Sequence, residues 1–176
     1  MLQIHLPSRS DMPDSSTALI TDTRALRDTL GRFATGVTVI TTRDADGAPV
    51  GVTVNSFSSV SLEPPLVLWS LARSALSLPA FRAHDCWAVH VLGAEQEALS
   101  ARFASRGADK FAGLPHRNGI GDVPLLDGCA ARLQCRTQRI YDGGDHIILL
   151  GEVVSFEQGD ATPLLFHAGR YARLAA

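Results

Sequence analysis

Two long runs of strand-forming residues joined by a glycine-rich turn constrain this chain more than any other feature. The runs span residues 131–141 and 146–156, and both have residue patterns typical of strands. Between them stands Asp142-Gly143-Gly144-Asp145, a sequence typical of a β-hairpin turn. The sequence therefore predicts a long antiparallel hairpin in the second half of the chain.

Further β signals surround this hairpin. Residues 37–42 and 50–54 flank the turn sequence Asp44-Ala45-Asp46-Gly47 and predict a second hairpin. The other elements that the patterns predict are strands at 66–71 and 87–92, short helices from Thr23 (as N-cap) to about 33, at 77–83 and at 95–103, and a loop at 113–124. Many strands at close spacing favour a β-barrel.

The chain of 176 residues suits one domain. Residues 1–22 contain Pro7, Pro13 and several serines without periodicity, which predicts a flexible N-terminal arm. Residues 23–176 are predicted to form the folded domain.

Charge and composition exclude several kinds of partner. Sixteen basic residues are scattered among 18 acidic ones, giving a net charge of −2, so no basic stripe is present to bind nucleic acid. No apolar run reaches the roughly 18 residues of a membrane helix. Cys86, Cys129 and Cys135 form no CxxC pair, and they predict reduced thiols in a cytoplasmic protein.

The motifs of hydrolases, metalloproteases and phosphate-binding loops are missing, and the six histidines are dispersed. No metal site is predicted. Gly119 and Gly121 match the start of a dinucleotide-binding motif, but they follow no strand and Pro124 occupies the third glycine position. A Rossmann-type nucleotide site is therefore rejected.

Short hydroxyl and amide side chains are unusually dense at the predicted strand ends. They are Thr53, Asn55, Ser56, Ser58, Ser59, Ser61, Ser70, Ser74 and Ser77, with Arg73 among them. Such groups suit a flavin, whose flat apolar ring has a polar edge and whose tail carries a phosphate. They equally suit turns and helix caps, so composition alone leaves both interpretations open.

Ordered motifs resemble the short-chain flavin reductases of two-component monooxygenases. Residues 31–42 (GRFATGVTVITT) resemble the opening segment of that family, and residues 51–66 (GVTVNSFSSVSLEPPL) resemble its flavin-facing segment. Asp109-Lys110-Phe111, Gly144-Asp145-His146 and Gly169-Arg170-Tyr171 follow in the expected order, so the resemblance extends from about Leu26 to Tyr171. It implies a mainly β fold with short helices, an antiparallel Greek-key FMN-binding split β-barrel, and a homodimer.

The resemblance also implies contacts with the flavin ring. Thr53, Asn55 and Ser56 would line the isoalloxazine, and backbone groups around Ser70 would bind its polar edge. Thr35 would touch the flavin or simply begin a strand. His90 stands where many family members carry asparagine, so it either meets the flavin or is a hydrogen-bonded histidine on a strand.

At the phosphate the resemblance implies Arg73 and Ser74, because a guanidinium pairs well with phosphate oxygens. Lys110 and Phe103 would close this side. From the residues alone, Arg73 and Lys110 are equally surface charges, and Phe103 is a core residue.

The resemblance implies His146 as the catalytic residue, because it follows the hairpin turn and is similar to the family's histidine at the face where the nicotinamide would bind. Tyr171 and Arg170 would close the same side. The alternatives are a turn-capping histidine and a tyrosine packed on the barrel.

The resemblance implies an NAD(P)H:flavin oxidoreductase that reduces FMN or FAD, with NADH favoured, and supplies a separate monooxygenase. Two alternatives stay open: a flavin-binding protein without turnover, and an FMN-dependent enzyme acting directly on a small substrate. A flavin that is tightly bound and is not reduced by NADH would identify the flavin-binding protein without turnover.

Overall fold

A computed structural model describes residues 22–107 and 109–174. Within them the helices are α1 (Thr23–Leu30), α2 (Leu78–Ala83) and α3 (Glu97–Ala104). The strands are β1 (Thr35–Gly36), β2 (Thr38–Arg43), β3 (Pro49–Val54), β4 (Ser58–Leu62), β5 (Pro65–Ala72), β6 (Cys86–Val91), β7 (Arg117–Asn118), β8 (Pro124–Leu125), β9 (Ala131–Gly143), β10 (His146–Gln158), β11 (Leu165–His167) and β12 (Arg170–Ala172). The prediction of a mainly β fold with short helices is confirmed.

A seven-stranded antiparallel sheet dominates the structure, in the order β3-β2-β6-β9-β10-β5-β4. Strands β3 and β4 are its edges, and no ladder joins them within the described residues, so the sheet is not a closed barrel. A three-stranded sheet, β1-β11-β12, and a two-stranded sheet, β7-β8, complete the β structure.

The two predicted hairpins are confirmed. Strands β9 and β10 pair from Gly143 opposite His146 to Ala131 opposite Gln158, with two register shifts. Strand β9 runs two residues further than predicted, so only Gly144 and Asp145 lie between the two strands. Gly144 has a φ of +77°, which glycine adopts readily. Strands β2 and β3 form the other hairpin.

Three aromatic side chains lie in the main hydrophobic core of the large sheet. Trp69 on β5 packs edge-on against Phe81 of α2 and Trp87 of β6, with ring centroids 4.9 and 5.9 Å apart. Gly151 on β10 leaves room for Trp87, since a Cβ there would lie 2.8 Å from Trp87 Cη2. The packing joins β5, β6, β10 and α2 in one core.

Helix α1 differs from its prediction at both ends. Its N-cap is Asp22, whose carboxylate accepts from the Ala25 N–H at 2.9 Å, rather than Thr23. The helix ends at Leu30, so Phe33 lies beyond it and is exposed. Apart from residue 22, the predicted N-terminal arm lies outside the described residues.

The patterns did not predict β1, β4, β7, β8, β11 or β12. None of the helices in the described ranges is long and apolar enough to cross a membrane. Cys86, Cys129 and Cys135 are all free thiols.

Candidate active site

A cleft of about 520 Å³ opens between strand β3, the end of β5 and the loop that follows α3. Its walls combine aliphatic side chains and an aromatic ring with hydroxyl and basic groups. The lining residues are Pro49, Val50, Gly51, Val52, Thr53, Ala72, Ser74, Ala75, Leu76, Ser77, Phe103, Ala104, Ser105, Arg106, Gly107, Asp109 and Lys110. A mostly apolar cleft with a few polar groups is typical of a small-molecule site.

Helix α3 seals one wall of this cleft by packing on β3. The buried ring of Phe103 lies against Gly51, where a Cβ would come within 2.6 Å of Phe103 Cδ1. Thr53 Oγ1 donates to the Ser100 carbonyl at 2.7 Å. Phe103 is therefore a core residue, as its side-chain chemistry suggested, and also part of the cleft wall.

Lys110 places a positive charge on the cleft. Its Nζ donates to the Phe103 carbonyl at 2.8 Å and to the Gly51 carbonyl at 3.2 Å, and it has no carboxylate partner within the described ranges. An ammonium has three N–H donors, so two carbonyls leave one for a ligand. Lys110 is half-buried, and this burial lowers its pKa because the charged form is partly desolvated. A half-buried cation of this kind suits an anionic ligand group.

His146 and Arg73 lie beside the cleft, at the β9–β10 turn. His146 is opposite Ala72, which lines the cleft, and its Nδ1 is 2.7 Å from Asp145 Oδ1. The hydrogen bond with His146 lowers the pKa of Asp145. Arg73 does not line the cleft: its Nη2 donates to Asp142 Oδ1 at 2.7 Å and its Nε to the Gly144 carbonyl at 2.8 Å.

Ser56 and Ser70 hydrogen-bond to each other rather than facing the cleft. Ser56 Oγ accepts from the Ser70 N–H at 2.9 Å and donates to the Ser70 carbonyl at 3.1 Å. The contact ties the β3–β4 connection to β5. Neighbouring Asn55 is exposed, and none of the three lines the cleft.

Thr35 and Tyr171 belong to one row across the three-stranded sheet, with Phe166 between them. The Tyr171 hydroxyl donates to Ser100 Oγ at 2.8 Å, which connects this sheet to α3. The Thr35 hydroxyl is buried without a partner in the described residues, and Arg170 is exposed at the end of β12. None of Thr35, Arg170 and Tyr171 lines the cleft, and Tyr171 is joined to the cleft wall through Ser100 of α3.

His90 is fully buried on β6, away from the cleft. Its Nδ1 is 3.0 Å from the Val39 carbonyl, and its Nε2 accepts from the Leu126 N–H at 3.0 Å. Both ring nitrogens are therefore satisfied within the protein, and burial lowers the pKa of His90 to about 4. The structure fits the interpretation as a hydrogen-bonded histidine on a strand and does not bring His90 to the expected flavin position.

Four of the predicted site residues thus meet at one cleft: Thr53, Ser74, Phe103 and Lys110. Sequence reasoning missed Arg106, which adds a second basic group to the lining, and Ser100, which joins β3 and β12 to α3. Among the residues that the structure describes, no group of three His, Cys, Asp or Glu side chains could hold a metal ion.

Comparisons with known proteins identify relatives along almost the whole chain. The family model of the flavin reductase like domain matches residues 30–175. FMN reductase (NADH) SmoA of Agrobacterium fabrum is 46% identical over 154 residues, which cover 88% of this chain and 87% of that protein. The reductase subunit HsaB of a flavin-dependent monooxygenase of Rhodococcus jostii is 43% identical, covering 85% of this chain and 77% of that one.

A solved structure agrees with these matches. The NADH:FAD oxidoreductase of Streptomyces globisporus, in complex with NAD and FAD fragments, superposes with a TM-score of 0.82 and 40% identity. The alignment covers 88% of this chain and 93% of that structure.

Proposed function

The chain belongs to the flavin reductase like domain family, and we propose that it is an NAD(P)H:flavin oxidoreductase that supplies reduced flavin to a separate monooxygenase. The observation that carries this proposal is the cleft at β3, where four of the site residues expected from the sequence meet. Relatives named as an NADH-dependent FMN reductase and as a monooxygenase reductase subunit support it.

The cleft has the chemistry that a flavin requires. Val50 and Val52 offer apolar surface for a flat ring, and Lys110 and Arg106 offer charge for a phosphate. Its volume of about 520 Å³ is within the range of roughly 300–1,000 Å³ typical of ligand pockets. A bound flavin accepts a hydride from a reduced nicotinamide, and this reactivity belongs to the cofactors. The protein has to bind both, orient them and exclude water.

We assign the phosphate to Lys110 and Ser74, and the ring to the walls that contain Thr53 and Phe103. Lys110 supports this assignment because its partly buried ammonium is balanced only by carbonyl oxygens within the described residues. Thr35, Asn55, Ser56 and Ser70 remain proposed flavin contacts on the strength of the resemblance. The FMN or FAD preference depends on the 73–80 and 104–120 loops, parts of which line the cleft.

His146 is proposed to orient the nicotinamide, with Tyr171 and Arg170 on the same side. Its Nδ1 is engaged by Asp145, which leaves Nε2 for the cosubstrate. We expect His146→Ala to lower kcat/KM for NADH about tenfold or more while the Kd for FMN stays within about twofold. Steady-state kinetics and flavin fluorescence titration measure the two values. Equal losses in both would show that His146 is a flavin-binding or structural residue.

We further propose that the open seven-stranded sheet is the split β-barrel, with Greek-key connections, that the resemblance implies. Valines at 50, 52 and 54 on edge strand β3 pack on the core cluster that contains Trp69 of β5. The sheet therefore curls enough to bring β3 towards β5 although no ladder joins them. The cleft lies along this split.

A homodimer is proposed from the two apolar faces of the large sheet. On β5, Val67 and Trp69 face the core, while Leu66 and Leu68 alternate with them and belong to the opposite face. The ladder with β10 places Leu150 opposite Leu68 on that outer face. Strands apolar on both faces are typical of sheets covered on both sides, and a second copy would cover the outer one.

A cytoplasmic location completes the proposal. The three free thiols support the location, because disulfides form in oxidising compartments and are rare in the cytoplasm. The folded domain is proposed to comprise residues 23–176, and the family match over 30–175 supports it.

The test is oxidation of NADH and of NADPH by the purified protein, with FMN and FAD titrated separately and the initial flavin content recorded. We expect saturable oxidation that depends on added flavin, with NADH as the better donor. A protein that retains flavin but leaves both nicotinamides unoxidised would contradict the proposal and favour a flavin carrier. Turnover that requires a further small substrate would favour the direct-acting enzyme.

A further inference from the structure

Arg73 is bound to the turn of the β9–β10 hairpin through three donors. Its Nε donates to the Gly144 carbonyl at 2.8 Å, and its Nη2 donates to Asp142 Oδ1 at 2.7 Å. Its backbone N–H donates to the Asp145 carbonyl at 2.9 Å. One residue at the end of β5 therefore holds three positions of one turn.

The same turn fixes the position of His146. Asp142 Oδ1 accepts from the Gly144 N–H at 3.1 Å, which closes the turn internally. Asp145 Oδ1 then accepts from His146 Nδ1 at 2.7 Å. The imidazole thus depends on a turn whose anchor in the adjacent strand is Arg73.

The hydrogen bonds that Arg73 donates go to the turn and none goes to the lining of the cleft. The guanidinium already spans a carbonyl and a carboxylate, and ion pairing with it lowers the pKa of Asp142. Meanwhile Lys110 and Arg106 line the cleft, and Arg73 does not. Turning Arg73 towards a phosphate would break contacts that the turn uses.

We propose that Arg73 is a positioning residue that clamps the turn at residues 142–145, and through it His146, and that it is not a ligand of the flavin phosphate. The effect on turnover rests on the proposed function, in which His146 orients the nicotinamide. The clamp itself is a property of the hairpin. The clamp and the effect on turnover can therefore be disproved separately.

The exposure of the pair predicts that removing it leaves the fold intact. The Arg73 and Asp142 side chains are 41% and 79% exposed. Exposed ion pairs contribute little to global stability. Variants at these positions should therefore fold, and their effect should be local.

Three variants separate clamp from ligand. Arg73→Ala removes both roles, whereas Arg73→Lys keeps a charge that can bind phosphate but loses the planar fork that spans Gly144 and Asp142. Asp142→Asn removes only the clamp's carboxylate. Arg82→Ala, at an exposed arginine in the last turn of α2, is the matched control.

We expect kcat/KM for NADH to fall about tenfold in Arg73→Ala, less in Asp142→Asn, with Arg73→Lys closer to Arg73→Ala than to wild type. The Kd for FMN should stay within about twofold in all of them. Hydrogen exchange of the amides at 143–146 should accelerate in the same variants and not in Arg82→Ala.

Two results would overturn the proposal. One is a large loss of FMN affinity in Arg73→Ala that Arg73→Lys restores while Asp142→Asn has no effect, since that pattern identifies a phosphate ligand. The other is unchanged exchange at 143–146. If wild-type protein oxidises no nicotinamide, the proposed function fails, and the exchange measurement alone still decides whether Arg73 clamps the turn.

Discussion

Lys110 is a half-buried cation whose only hydrogen-bond partners in the described residues are two carbonyl groups. A partly desolvated charge without a counterion is unfavourable unless a ligand supplies one. We expect Lys110→Met to weaken FMN binding about tenfold or more, because a charge-assisted hydrogen bond contributes about 1.5–3 kcal/mol. Fluorescence titration with FMN and with riboflavin, which lacks the phosphate, measures the effect.

Riboflavin is the internal control for Lys110. If this residue binds the phosphate, Lys110→Met should leave riboflavin affinity unchanged, and the surface variant Arg82→Met should affect neither ligand. Equal losses for riboflavin and FMN would show instead that Lys110 acts by anchoring its loop to Gly51 and Phe103.

His90 links pH to stability. Its pKa is lowered by burial from 6.5 to about 4, so between these values the unfolded chain binds a proton that the folded chain excludes. With respect to His90, the free energy of unfolding should therefore have its full value above pH 6.5 and should fall as the pH drops towards 4. The expected loss is about 3 kcal/mol, at roughly 1.4 kcal/mol per pKa unit. Urea unfolding at a series of pH values measures this slope.

The variant His90→Asn removes the titrating group and should flatten the slope over that window. A lower absolute stability is expected too, because the Val39 carbonyl and the Leu126 N–H lose their imidazole partner. An equally steep slope in the variant would assign the acid sensitivity to other groups.

At single residues the sequence singled out Thr53, Ser74, Phe103 and Lys110, and all four line the cleft. Contacts between distant residues were not predictable. Ser100 could not be recognised, because it is an ordinary helical serine whose partners Thr53 and Tyr171 are 47 and 71 positions away. The ion pair of Arg73 was equally hidden, since Asp142 is 69 positions distant.

Among the elements, the contact between α3 and β3 depends on a missing side chain. A Cβ at Gly51 would come within 2.6 Å of Phe103 Cδ1. We expect Gly51→Ala to destabilise the fold by about 1–3 kcal/mol, as overpacking does. The melting temperature should fall by about 2–4 °C per kcal/mol, and FMN should bind more weakly because the displaced ring lines the cleft.

Gly36→Ala is the matched control for Gly51→Ala, since a Cβ at Gly36 meets nothing within 4 Å. Shortening the ring by Phe103→Leu in the Gly51→Ala background should recover part of the stability. A Gly51→Ala protein with the same melting temperature as the wild type would show that the packing of α3 on β3 does not need this close approach.

Element prediction succeeded where the signal is local. The β2–β3 and β9–β10 hairpins combine alternating or apolar runs with glycine turns a few residues apart. Strands β1, β11 and β12 have two or three residues each, and β1 pairs with β11 across about 130 positions, so neither periodicity nor a turn identifies them. Strand β4 is rich in serine and resembles a loop.

Across the whole molecule, the large sheet carries apolar side chains on both faces. Its inner face holds the tryptophan core, and its outer face includes Leu66, Leu68, Ile148 and Leu150, which are only half-buried in one copy of the chain. Residue patterns predicted the strands, but the register between β5 and β10 is what aligns these leucines. An apolar outer face of this kind is what a second copy would cover.

The oligomeric state tests this arrangement. Light scattering should give about 37.6 kDa, twice the chain mass of 18.8 kDa. Leu150→Glu would introduce a charge on the outer face opposite Leu68 and should give a monomer with an unchanged circular dichroism spectrum, because half-exposed positions tolerate charge in a single copy but not in an apolar interface. Ala45→Glu, at an exposed position in the β2–β3 turn, is the control for a change in charge alone. A monomeric wild-type protein, or a Leu150→Glu variant that is folded and still dimeric, would show that this face is not where two copies meet.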